Sequence, residues 1–80
     1  MSVKEAVALR FQQLCAERKI RLNELAVRSG VTPSSVYSMV DPKRKEVSVN
    51  LVKKLCDGLN ISIGEFFSND IFNNLEQEIK

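Results

Sequence analysis

The sequence predicts an all-α protein, a compact bundle of four to five short helices with one further amphipathic helix at its C-terminal end. Three observations carry this. Apolar residues recur at three- and four-residue steps, no strand signal, repeat or low-complexity tract stands out, and small polar residues stand where helix starts need them. Eighty residues suit one hydrophobic core, because a chain of this size buries only about 60% of its unfolded surface and has no second core to spare. The expected division is a bundle over residues 1–68 and an amphipathic helix over residues 69–80, the latter for packing or dimerisation.

In the first helix Val3, Ala6, Val7, Phe11, Leu14 and Cys15 share one face, and the pattern fades near Arg18 or Lys19. A short second helix spans residues 22–29 with Leu22, Leu25 and Ala26 on one side, and Gly30 supplies the left-handed residue with which helices commonly end. Thr32 and Pro33 read as N-cap and first residue of a third helix running to about Val40: the hydroxyl can accept an orphan N–H, and proline has none to waste. Pro42 disfavours helical geometry at Asp41, and Lys43, Arg44 and Lys45 repel one another, so a basic loop follows. Ser48 can cap a fourth helix whose Val49, Val52, Leu55, Cys56 and Leu59 form an inward stripe. Ser62 and Glu65 make a capping box for a short fifth helix through Phe66 and Phe67. Asn69 or Asp70 can open the last helix, with Ile71, Phe72, Leu75 and Ile79 on one side. Those apolar residues with Phe66 and Phe67 either close the core or form a dimer seam.

Composition excludes several functions. No apolar run approaches the roughly 20 residues that span a bilayer, and the N-terminal residues lack a secretory pattern, so a cytoplasmic location with reduced thiols and no membrane partner is expected. Cys15 and Cys56 sit at apolar positions and read as buried structural thiols. There is no His, and no metal cluster, Gly-rich phosphate loop or paired carboxylates; no catalysis, cofactor or small-molecule substrate is expected. The charge is segregated: residues 1–64 hold 11 Lys/Arg against six Asp/Glu, a net +5, whereas residues 65–80 hold one Lys against four acids, a net −3. A basic body is the footprint of a polyanionic partner, or simply a solvated surface.

Two short helices joined by a Gly-containing turn, the second opening on hydroxyl residues, describe a helix-turn-helix. Leu25, Ala26, Gly30, Val31, Val36 and Met39 fall where such a unit needs its helix contacts and its turn. The stretches ELAVRSGVTPSSVYSMV (residues 24–40) and VSVNLVKKLCDGLNISIGEFF (residues 47–67), at this separation, resemble the Cro/CI-type, lambda-repressor-like family of prokaryotic helix-turn-helix regulators. The resemblance covers residues 7–67. It implies a third helix, about residues 33–40, lying in the major groove of double-stranded DNA, and a homodimer on a pseudo-palindromic site. It implies base-facing roles for Thr32, Pro33, Ser34, Tyr37 and Ser38. It places Lys45 and Ser48 at phosphates, with Lys43 and Arg44 beside them, and Arg21 as a cation replacing a polar phosphate contact. The function implied is a sequence-specific transcriptional regulator, a repressor acting by occupancy.

Three departures qualify the match. The reading face lacks the Gln, Asn or Arg that bond purine edges in pairs, leaving hydroxyls, Tyr37 and DNA shape as readers. The second helix begins with Arg21 and Leu22 where the family has a Thr or Ser cap followed by Gln. Cys15 and Val40 replace an Arg–Glu pair found in several members; loss of both together leaves no stranded charge and predicts that the two side chains meet. The thin reading face keeps an alternative in play: a protein-interaction regulator that retains the scaffold while binding DNA weakly or without sequence preference, its acidic C-terminal helix docking a partner.

Overall fold

Ser2 opens the first helix, α1 (Val3–Arg18), through a reciprocal box in which its hydroxyl accepts from Glu5 N–H while its own N–H donates to the Glu5 carboxylate. The computed structural model describes residues 1–79 and continues through α2 (Leu22–Ser29), α3 (Pro33–Val40), α4 (Val49–Gly58), α5 (Ile63–Phe67) and a single 3-10 turn, Asp70–Phe72. No strand occurs among the described residues, and no helix there is long and apolar enough to cross a membrane. The all-α expectation and the five helix positions stand.

Val7, Phe11, Leu14 and Cys15 of α1 meet Leu25, Ala26, Val36, Met39, Val52, Leu55, Cys56, Leu59 and Phe66 in one core. α1 is buried over a wide arc: Ala6, Val7 and Ala8 are consecutive and all buried, because the helix faces α2, α3 and the 3-10 turn at once. Its polar residues serve the ends of the other helices. Lys4 Nζ donates to Asp41 O at 2.5 Å, Arg10 Nε to Phe66 O at 3.0 Å, and the Arg18 guanidinium to Leu59 O. Each acceptor lies at the C-terminal end of a different helix, α3, α5 and α4, where carbonyls lack intrahelical partners and the helix dipole is negative. Lys4 is only 3% exposed.

α2 and α4 make a close crossing. A Cβ on Gly58 would lie 2.1 Å from Ser29 Oγ and 3.1 Å from Ser29 Cα, so only glycine fits with α2 where it is. The Ser29 hydroxyl, buried here, has no hydrogen-bond partner. At the other end of α2, Gly30 adopts φ +69° and its N–H donates to Val27 O, which ends the helix and turns the chain into α3.

Three expectations fail locally. The helix over residues 69–80 is replaced by the 3-10 turn; the last residue of that expected helix, Lys80, lies outside the described residues. Asn69 caps Ile71 N–H, and Asn73 and Asn74 are poor helix residues. A segment this short is also marginal as a helix, and Glu76 and Glu78 would oppose its C-terminal dipole. Its apolar residues therefore part company. Phe72 packs against Phe66 and Phe67, at ring distances of 5.7 and 4.8 Å, while Ile79 is 79% exposed. Val49, expected in the inward stripe, is 74% exposed, since it stands in the first turn of α4 beyond the core's edge. Thr32 occupies the N-cap position of α3 but makes no side-chain cap; its Oγ1 lies 3.0 Å from both Ser34 Oγ and Ser35 Oγ. Cys15 is buried and Val40 half-buried against the same core, so neither points into water.

Gly58→Ala should lower stability by about 1–3 kcal/mol through overpacking. Ser29→Ala should be neutral or stabilising by about 1 kcal/mol, because it removes an unsatisfied hydroxyl. The double variant should recover part of the loss. Denaturant midpoints test this, and a Gly58→Ala protein as stable as the parent would refute the close crossing. Burial pushes both cysteine thiols up from their ordinary value. A raised folded-state value means that the unfolded chain releases its proton first on titration. This contribution is complete below about pH 9 and is lost as pH climbs beyond it. A Cys15→Ala/Cys56→Ala variant should show a flatter alkaline stability curve, and thiol labelling of the parent should require opening of the core, accelerating in step with added denaturant.

Candidate nucleic-acid interface

α3 is held from within by Val36 and Met39, both buried, which sets its opposite face outward. Thr32, Pro33, Ser34 and Tyr37 are exposed, Tyr37 by 49%, and Ser38 is half-buried. All five residues expected on the reading face thus belong to one short helix and its cap. The hydroxyls of Thr32, Ser34 and Ser35 form a small cluster at the start of this face, and either partner in each pair can donate.

The loop after α3 is fixed at its root by Asp41. The carboxylate accepts from Lys43 N–H at 2.9 Å, and the Asp41 carbonyl accepts from Arg44 N–H at 3.0 Å as well as from Lys4 Nζ. A local Asx turn thus sets the chain direction at Pro42, and Lys43, Arg44 and Lys45 follow it, all exposed. At the far end Ser48 Oγ accepts from Leu51 N–H at 3.0 Å and caps α4. Its hydroxyl proton remains free to donate, and the earliest N–H groups of α4 have no intrahelical partner. Arg21 stands at the N-cap position of α2, exposed and without a side-chain capping bond.

The distribution of committed cations sharpens the surface. Lys4, Arg10 and Arg18 are bound to backbone carbonyls, Arg28 pairs with Glu24 at 2.7 Å, and Lys53 pairs with Asp57 at 2.5 Å. Among the described residues, the cations left without a side-chain partner are Lys19, Arg21, Lys43, Arg44, Lys45 and Lys54. Four of these six are the cations singled out for phosphate contact. Two residues that shape the site escaped sequence reading. Asp41 carried a signal in the Asp-Pro pair; Lys4 carried none, since an N-terminal lysine on a helix is ordinarily solvated. Glu5 also lies near Lys45, but its carboxylate is held below the ordinary value chiefly by the Ser2 backbone N–H and is committed to the capping box.

A family model described as Cro/C1-type HTH DNA-binding domain matches residues 10–69. The chain is similar in structure to a protein solved as the crystal structure of the prophage Lp1 protein 11. The two share a TM-score of 0.82 and 25% sequence identity over 94% of this chain and 100% of that one. No curated protein gives a significant match.

Lys4→Met keeps the apolar stem and deletes the ammonium. It should cost about 1–2 kcal/mol, from the lost charge-assisted bond at the end of α3. Amide exchange at Arg44, whose N–H shares the Asp41 carbonyl, should accelerate beyond what the global loss explains. Unchanged exchange there would show that Lys4 does not brace the loop.

Proposed function

This chain belongs to the Cro/C1-type helix-turn-helix DNA-binding domain family, and from that premise we propose a sequence-reading transcriptional regulator that represses by occupying its site. In this reading α3 enters the major groove and sets Thr32, Pro33, Ser34, Tyr37 and Ser38 against base edges and the neighbouring backbone. Arg21, Lys43, Arg44, Lys45 and Ser48 grip phosphates to either side and fix the register of α3. Two copies act as a homodimer on an inverted repeat in the cytoplasm, by occupancy rather than by catalysis.

The observation that carries the reading is the sorting of charge around α3. Among the described residues, five cations are tied to carbonyls or carboxylates, and of the six that are not, four are Arg21, Lys43, Arg44 and Lys45, the last three in the loop directly after α3 and available to an incoming polyanion. The reading face supports a selectivity of a particular kind. Hydroxyls bond most bases, and Tyr37 offers a ring to thymine methyls, so discrimination draws on methyl contacts and groove shape more than on paired hydrogen bonds to purines.

Selection from a random duplex library at moderate salt should enrich inverted repeats whose half-sites lie about 34 Å, or a multiple of that, apart. Retention without enrichment would leave a backbone binder, and no retention at low salt would refute DNA binding. Replacing Lys43, Arg44 and Lys45 together by Ala should flatten the plot of log K against log salt by about 2–3, since each phosphate left unneutralised removes ~0.9 from the slope. Tyr37→Ala should instead alter which sequences are preferred and leave that slope unchanged. A flattened slope in the Tyr37 variant would remove it from the reading face.

A further inference from the structure

The chain returns after α5 to the N-terminal end of α1. Phe72 anchors it on Phe66 and Phe67, Glu76 N–H donates to Met1 O at 3.0 Å, and the Glu76 carboxylate lies 3.5 Å from the Met1 ammonium. Beyond Glu76 it reaches an open groove of about 510 Å³ walled by Val3 and Lys4, by residues 45–48, and by Glu78. The groove therefore brings an acid of residues 73–79 into the same cleft as Lys45, Glu46 and Ser48, and Lys45 and Ser48 are two of the groups assigned above to phosphate contact. Lys45 makes no ion pair among the described residues, and the groove is not closed over it.

We propose that residues 73–79 form an anionic strap in which Glu78 holds the electrostatic place of a DNA phosphate at the Lys45–Ser48 edge, so that duplex DNA binds by displacing it. The proposal rests on the DNA-binding reading of that edge and adds an intramolecular competitor to it. Glu76 tethers the strap and Glu78 competes. The opposite charge signs of residues 65–80 and of the basic body are what such a device requires. Because the competition is for backbone contacts, it weakens binding to every duplex alike and fades as salt screens both attractions. The groove is open to solvent, so the effect is that of an exposed charge pair, roughly two- to fivefold in Kd.

The test uses the full chain and a random-sequence duplex, comparing the parent with Glu78→Gln, Glu76→Gln and Glu17→Gln. The last makes the same change in net charge on an exposed position of α1 outside the groove. Glu78→Gln and Glu76→Gln should tighten binding about two- to fivefold at low salt, with the gain vanishing at high salt, and should exceed Glu17→Gln throughout. Carbodiimide coupling of the free protein should join Lys45 to Glu78, and added duplex should suppress that product. Equal effects of all three variants on a protein that binds DNA would overturn the strap and leave the DNA reading standing. Absence of the Lys45–Glu78 product would overturn the strap whatever the DNA result. If no variant retains DNA while the product forms, the DNA reading falls and the competitor role falls with it.

Discussion

The architecture depends on α1 serving as a cationic spine for the ends of three other helices. Lys4, Arg10 and Arg18 lie along one helix and deliver charged donors to carbonyls at the C-terminal ends of α3, α5 and α4. Each bond answers the same local problem, a part-buried helix end with unpaired acceptors and a negative dipole. Solving it three times from one rigid element also indexes those helices to a common axis. The apolar core gives them cohesion, and the spine ties their ends to one element. Arg10 adds a second tie, its guanidinium lying 6.0 Å from the Phe66 ring centre.

α2 and α4 complete that frame by approaching until a glycine is required. Gly58 against Ser29 admits no side chain, and Ala26 is buried on the same helix as Ser29. α3 is thus placed by a helix pair that cannot separate or close by a methyl's width without loss. Under the proposed docking, in which α3 presents side chains to a fixed lattice of bases, such stiffness is a functional property as much as a stabilising one.

Much of this was legible in the sequence because its signals are local. Gly30, Pro33, Ser48 and the Ser62–Glu65 box each act within four residues, and the structure places a helix boundary at every one. The stripe Leu25, Ala26, Val36, Met39 needed only helical period. What stayed hidden depends on distant partners. Nothing near Lys4 announces that its ammonium will be buried against Asp41, 37 positions away, and nothing near Gly58 names Ser29. The last segment misled for the opposite reason: Ile71, Phe72, Leu75 and Ile79 carry a helical period, but two asparagines and acids at the wrong end outweigh it. Of the proposed interface, the sequence offers candidate residues but not their freedom, since a cation's availability depends on whether the fold has already given it a carbonyl.

The hydroxyl cluster of Thr32, Ser34 and Ser35 has a consequence for how such a protein changes over time. Thr32 and Ser34 are exposed, outside the core and outside the spine. Their loss costs the fold no packing and leaves no buried group stranded. Under the proposed docking, a lineage could exchange them for longer donors and address a different promoter while folding as before. The same plainness that makes the present surface a sparing reader of bases makes it an inexpensive place for new specificity to begin.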